Sequence, residues 1–193
     1  MLHGYGSSIL DGAWLTINLA LSAMALAITL GLIGAACRLS PVKWLATLGE
    51  VYTTVVRGIP DLVLILLIFY GGQDLVNRLA LALGYEQYID INPFIAGFCT
   101  MGFIFGAYLS ETFRGAFLAI PKGQAEAGVA YGMSAAQVFW QISVPQMIRL
   151  AIPGFTNNWL VLTKSTALIS VIGLQDMMFK AKNAADATHQ PFT

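Results

Sequence analysis

Residues 12–37 form an uninterrupted run of 26 residues without a charged side chain. A helix needs about 20 apolar residues to cross the hydrocarbon core of a bilayer. Lipid offers no hydrogen-bond partner to backbone N–H and C=O groups, so these groups must pair with each other, as they do in a helix. The run therefore predicts a membrane-spanning helix near the N-terminus. It is longer than the roughly 7–15 apolar residues of a signal-peptide core, and no basic region precedes it, so we expect a retained anchor.

The composition agrees with a membrane protein. Hydrophobic residues make up 57% of the 193 residues and charged residues only 10%, against about 25% charged residues in soluble domains. The net charge is zero and no basic run is present, which gives no support for nucleic-acid binding. We expect residues 1–193 to form one transmembrane domain.

Three further apolar stretches, at 51–76, 91–113 and 150–175, bring the predicted number of spans to four. The predicted fold class is therefore an all-α integral membrane protein, with a long loop over 114–149. Pro60 interrupts or kinks the second stretch. If a helix restarts there, Pro60 suits its first turn.

The distribution of cations predicts the orientation of the spans, because cytoplasmic loops carry an excess of lysine and arginine. With the N-terminus outside, three cations face outward and five face the cytoplasm, the latter being Arg38, Lys43, Arg114, Lys122 and Arg149. This modest bias predicts a multi-pass protein with an external N-terminus. The loop over 114–149 then lies in the cytoplasm.

Several charged residues lie in or beside the apolar stretches: Arg57, Asp61, Glu111, Arg114 and Lys164. A charge at the centre of a bilayer costs at least about 2.5–3.5 kcal/mol, so such residues usually face a protein interior or a water-filled cavity. Lys164 lies too deep in its stretch to reach the interface easily. These residues predict a path for a polar solute, and a zwitterion would find both cationic and anionic partners along it.

Simpler roles remain open for some of these residues. Glu111 and Arg114 are three positions apart and could form a local ion pair at the membrane boundary. Asn157 should share a helix face with Lys164, and Asn158 should lie at the edge of that face. Asparagines in membrane helices often only join neighbouring helices, but we favour a face that lines the path.

The sequence predicts no catalytic residue and no metal site. Cys37 and Cys99 lie in or at the end of apolar stretches, where small buried thiols are common. His3 and His189 are the only histidines and have no neighbours at ligand spacing. The phosphate-binding pattern G-x-x-x-x-G-K-[ST] does not occur. We therefore expect no cofactor on this chain.

The predicted cytoplasmic loop contains the segment KGQAEAGVAYGMSAAQVFWQISVPQM, residues 122–147. Its alanines predict a narrow helix from 124 to 131, Gly132 permits a sharp turn, and Ser134 can cap a following helix. The layout E-A-G-x3-G-x9-I-x-V-P resembles the EAA loop, E-A-A-x3-G-x9-I-x-L-P, of permease subunits in ATP-binding-cassette importers. Gly128 and Val144 are the two departures, and the spacing is intact.

The resemblance extends over nearly the whole chain from residue 12. The segments RGIPDLVLILLIFYGG, GAYLSETFRGAFLAIPKGQ and NNWLVLTKSTALISVIGLQD look like the polar amino-acid uptake group. They are similar in particular to the Q-type subunits of histidine and lysine–arginine–ornithine importers. The resemblance implies the type I importer permease fold in the inner membrane. It also implies five spans, so we expect a fifth one after the last residue given.

The same resemblance implies the function and the partners. It implies uptake of amino acids, with basic ones expected, by a complex with a second permease, two ATPase subunits that bind ATP and Mg²⁺, and a periplasmic binding protein. In that complex Glu126, Ala127, Gly128 and Gly132 would couple the loop to an ATPase. Two alternatives remain: a secondary transporter with Asp61 or Glu111 as its proton site, and a membrane scaffold that transports nothing.

Overall fold

The computed structural model describes residues 4–85 and 87–189, so His3 lies outside the described residues. The described part is helical and contains no β-strand. Its long helices are α1 Gly6–Leu39, α2 Lys43–Gly58, α3 Asp61–Ala82, α4 Pro93–Leu118 and α7 Val144–Ser165. The shorter elements are α5 Lys122–Ala130, α6 Ala135–Gln137, a π-helix Val138–Ser143, a 3₁₀-helix Thr166–Ile172 and α8 Met177–Thr188.

The core of the fold is the pair formed by α1 and α4, which pack along much of their length. Small residues allow this close approach, as is usual between membrane helices. A Cβ added at Gly31 of α1 would lie 2.7 Å from the Cβ of Leu109, and one at Gly102 of α4 would lie 2.5 Å from the Cδ2 of Leu26. Helices α2, α3 and α7 pack around α4, which therefore lies at the centre of the bundle.

Three helices are long and apolar enough to span a membrane: α1, α3 and α4. A fourth candidate is the continuous helix over Ala135–Ile172 together with α8, which is bent from it by 60°. The first helix of the sequence prediction corresponds to α1 and the third to α4. The described part of the chain thus holds three or four candidate spans, in agreement with an all-α membrane protein.

The stretch predicted as one span over 51–76 is divided between two helices. Helix α2 ends at Gly58, Ile59 and Pro60 are extended with ψ values of 137° and 136°, and α3 begins at Asp61. Proline has no backbone N–H and disfavours helical geometry in the residue before it, which explains the break at this point. The span begins at Asp61 and continues to Ala82, whereas α2 is a separate helix of 16 residues.

The segment between α4 and α7 forms a short helical hairpin. Helix α5 ends at Ala130, and Gly132 turns the chain with a φ of +82°, a conformation that favours glycine. Ser134 then caps α6 in a reciprocal pair of hydrogen bonds with Gln137. The predicted turn and cap are therefore both present. From Ala135 the helix continues through the π-helix into α7.

Candidate functional site: an ionic cluster and a helical hairpin

Glu111 of α4 is the centre of an ionic cluster that joins three helices. Its carboxylate forms an ion pair with Arg38 at the end of α1. It also lies 3.8 Å from Nη1 of Arg57 on α2 and 3.5 Å from Nε of Arg114 one turn along α4. Arg38 additionally donates a hydrogen bond of 3.2 Å to Thr53 of α2. The cluster therefore ties α1, α2 and α4 together through one carboxylate.

The break between α2 and α3 places a second group of polar side chains beside this cluster. Asp61, the first residue of α3, accepts a 3.4 Å hydrogen bond from the hydroxyl of Tyr108 on α4. The guanidinium of Arg57 lies over the ring of the same tyrosine, 5.6 Å from its centre. Arg57, Tyr108 and Asp61 thus form a contiguous group, with Glu111 one turn further along α4.

The two neighbouring asparagines of α7 have different surroundings. The amide of Asn158 donates to Thr112 of α4 at 3.0 Å, and the methyl group of Thr112 packs against Gly154. Asn158 therefore joins α7 to α4. Asn157 and Lys164 are exposed and make no side-chain hydrogen bond or ion pair within residues 4–85 and 87–189.

The structure brings together most of the charged residues that the sequence singled out. Arg57, Asp61, Glu111 and Arg114 lie in one region. Lys164 is exposed on α7 and forms no ion pair with any of them. Sequence reasoning missed Arg38, which it assigned to a loop, and Tyr108. Tyr108 precedes Glu111 by three residues, so helical periodicity could have placed both on one face.

In the helical hairpin, α5 packs against the π-helix through Gly128. A Cβ added there would lie 2.8 Å from the Cδ1 of Ile142 and 3.0 Å from the Cγ2 of Val138, so a small residue suits this contact. The opposite side of α5 is free in the described part of the chain. Glu126 and Ala127 are exposed, and Tyr131, at the end of the helix, is 91% exposed.

The described residues offer no evident metal centre. Within them, no group of three histidine, cysteine or acidic side chains is arranged to hold a metal ion. The polar groups of the cluster are arginines, carboxylates and a phenol, which suit charge recognition and hydrogen bonding.

Relatives of the chain are permeases of amino-acid and opine transport systems. It is 50% identical over 192 residues to the histidine/lysine/arginine/ornithine transport system permease protein HisQ of Escherichia coli, covering 100% of this chain and 84% of the relative. It is 38% identical over 193 residues to the arginine ABC transporter permease protein ArtQ of Haemophilus influenzae, covering 100% and 84%. It is also 38% identical over 190 residues to the octopine transport system permease protein OccQ of Rhizobium radiobacter, covering 98% and 80%.

Two solved structures are similar to this fold. One is the crystal structure of an amino acid ABC transporter with histidines, with a TM-score of 0.81 and 29% identity, covering 97% of this chain and 82% of that one. The other is an inward-facing MetNI methionine ABC transporter, with a TM-score of 0.69 and 16% identity, covering 94% and 84%. The second likeness concerns the fold alone.

The family model described as "binding-protein-dependent transport system inner membrane component" matches residues 27–191. The matched region contains the ionic cluster, the break at Pro60 and the helical hairpin. Together with the similarity to a transport permease over 192 residues, this match gives one conclusion: the chain belongs to the family of binding-protein-dependent transport system inner membrane components.

Proposed function

We propose that this chain is a permease subunit of an ATP-driven importer that carries amino acids with cationic side chains. The observation that carries the proposal is the polar group at the break between α2 and α3, in a family of binding-protein-dependent transporters. Broken helices at membrane depth are typical of transporters, because unwound backbone is tolerated only beside protein or a water-filled cavity. The 50% identical relative is a permease for histidine, lysine, arginine and ornithine.

The proposed solute path includes the cluster and the exposed face of α7. Arg57, Asp61, Glu111 and Arg114 supply charges of both signs, which a zwitterion with a charged side chain requires. On α7, Asn157 and Lys164 are both exposed. A lysine at this depth is costly against lipid, which supports a position facing a polar cavity or a second subunit. Asn158 contributes to the path indirectly, by fixing α7 against α4.

The helical hairpin is the proposed contact with an ATPase subunit. Helix α5 presents Glu126 and Ala127 outward, while Gly128 packs inward on the π-helix. A narrow helix of this kind can enter a cleft on a partner, and the carboxylate of Glu126 can pair with a cation there. Because α5 packs on the helix that continues into α7, closure of the ATPases would move α7 and open the path to the other side.

The proposed assembly contains this permease, a second permease of similar fold, two ATPase subunits and an external binding protein. ATP and Mg²⁺ would bind the ATPase subunits, where hydrolysis takes place, and this chain would carry out no covalent chemistry. The proposed orientation in the inner membrane has the N-terminus outside and the hairpin in the cytoplasm. In that orientation the binding protein delivers the solute to the face that contains the start of α1.

The test is uptake by the purified complex in liposomes. We expect accumulation of labelled arginine, lysine or histidine only with both ATP and the binding protein, and no dependence on an imposed proton gradient. Uptake that proceeds without ATP and follows the proton gradient would contradict the proposal and support a secondary transporter. A complex that lacks uptake under all conditions, although co-purified ATPase and binding protein are active, would support a scaffold.

A further inference from the structure

The guanidinium of Arg57 already occupies an environment suited to a cation. It lies over the ring of Tyr108, 5.6 Å from the ring centre, and 3.8 Å from the carboxylate of Glu111. The hydroxyl of the same tyrosine donates to Asp61 at 3.4 Å. An aromatic face between two carboxylates is a favourable environment for a guanidinium or ammonium group.

A discontinuous helix adjoins this environment. Transporters commonly bind their solutes beside discontinuous helices, and the break at Ile59–Pro60 adjoins Tyr108 through Asp61. Tyr108 itself lies within three residues of the midpoint of α4, Pro93–Leu118.

Arg57 is the most easily displaced of the three arginines around Glu111. Its side chain is 44% exposed, against 14% for Arg38 and 30% for Arg114. If Arg57 moves away, Arg38 and Arg114 still neutralise Glu111. Asp61 has the Tyr108 hydroxyl as its side-chain partner in the described part of the chain, so its carboxylate keeps capacity for a cation.

From this geometry, we infer that Tyr108, Asp61 and Glu111 form a binding site for the cationic side chain of the solute, and that Arg57 occupies the site when no solute is present. The inference rests on the proposed function. An incoming guanidinium or ammonium group would take the place of the Arg57 guanidinium over the Tyr108 ring, with Asp61 as its counter-charge. The site would thus distinguish cationic amino acids from neutral ones of the same shape.

The test uses equilibrium binding of labelled arginine and citrulline to the purified complex without the binding protein. Citrulline has nearly the shape of arginine but a neutral side chain. We expect Arg57→Met to increase the affinity for arginine by roughly threefold to tenfold, because it removes the competing cation, and to leave citrulline unchanged. Tyr108→Leu and Asp61→Asn should reduce arginine binding to the level of citrulline.

Two variants serve as controls. Tyr108→Phe retains the ring and should keep most of the preference for arginine. Arg78→Gln removes an exposed arginine that pairs with Asp74 at 2.8 Å, away from the cluster, and should change neither affinity. Melting of each purified complex establishes that the variant is folded.

Three results would overturn the inference. Weaker binding of arginine and citrulline alike in Arg57→Met would mean that Arg57 holds the solute carboxylate. An unchanged arginine-to-citrulline ratio in folded Tyr108→Leu would exclude the cation site. Absence of binding by the unmodified complex, with ATP-driven uptake intact, would place the solute elsewhere, whereas loss of ATP dependence would instead contradict the proposed function.

Discussion

Arg38 and Glu111 form an ion pair between the last turn of α1 and the C-terminal half of α4, 73 positions later in the chain. Glu111 also lies near Arg57 and Arg114, whereas Arg38 has Glu111 and the Thr53 hydroxyl as its partners in the described part of the chain. The cluster is therefore asymmetric. One carboxylate balances several cations, and its loss leaves more charge unpaired than the loss of any one arginine.

This asymmetry predicts which of two single substitutions destabilises the protein more. Glu111→Gln should lower stability more than Arg38→Gln, because it leaves Arg38, Arg57 and Arg114 without their common counter-ion. The loss should remain below the roughly 3–5 kcal/mol found when a fully buried pair is broken, since the Glu111 side chain is 25% exposed. The measurement is the melting temperature of the purified complex. The double variant should be more stable than the sum of the single effects predicts, and a larger loss for Arg38→Gln would contradict the asymmetry.

Because α1 and α4 are in close contact, we expect that adding one methyl group at their interface destabilises the fold. In Gly31→Ala the new Cβ would lie 2.7 Å from the Cβ of Leu109 and 3.2 Å from its backbone carbon, so the helices must separate. Overpacking of this kind costs about 1–3 kcal/mol. We expect a lower melting temperature and less complex extracted from membranes. Gly115→Ala is the matched control on α4, because nothing lies within 4 Å of a Cβ there.

The two asparagines of α7 allow structural and transport roles to be separated. Asn158→Ala should destabilise the complex because it removes the contact with Thr112. Hydrogen bonds between membrane helices contribute about 0.6 kcal/mol on average and about 1.7 kcal/mol at most, so we expect a loss within these limits. Asn157→Ala should leave the melting temperature unchanged and lower the rate of uptake. The readouts are melting and the uptake rate per ATP hydrolysed. Equal melting losses for the two variants would contradict the distinction.

The turn at Gly132 predicts a variant in which ATP hydrolysis is less tightly coupled to solute uptake. At its φ of +82° a β-branched residue is strained, by roughly 1–2 kcal/mol relative to glycine. Gly132→Val should therefore displace α5 relative to α6, so that the ATPases hydrolyse ATP with less uptake. The measurement is the ratio of solute transported to ATP hydrolysed in liposomes.

The matched control for Gly132→Val is Gly123→Ala. Gly123 lies within α5 and has no atom within 4 Å of an added Cβ, so the ratio should not change. An unaltered ratio in folded Gly132→Val would remove the hairpin from the coupling mechanism.

Much of the helical framework can be predicted from residue patterns. The charge-free run over 12–37 lies within α1. A helix is the only structure in which a single segment can form all its backbone hydrogen bonds within itself in lipid. The turn at Gly132 and the cap at Ser134 were predicted because both depend on local backbone chemistry. Such features need no knowledge of distant parts of the chain.

Contacts between distant helices could not be predicted in the same way. Arg38 follows the first apolar run directly, and its pattern is that of a loop cation at the membrane boundary. Only the packing of α1 on α4 brings it to Glu111. The sequence also left undecided whether Pro60 kinks one helix or separates two. Contacts with the rest of the fold decide between these outcomes, and the structure has two helices, α2 and α3.

The π-helix over Val138–Ser143 has a mechanical consequence for α7. A π-helical turn contains more residues than an α-helical turn, so this element places extra residues within a continuous helix. If the π-helical turn shifts along the helix by one residue after another, each residue that changes sides of the turn rotates by about 100° about the helix axis, the angle of one α-helical residue. Because α5 packs on this element through Val138 and Ile142, the proposed movement of α5 by an ATPase would rotate the helix that bears Asn157 and Lys164.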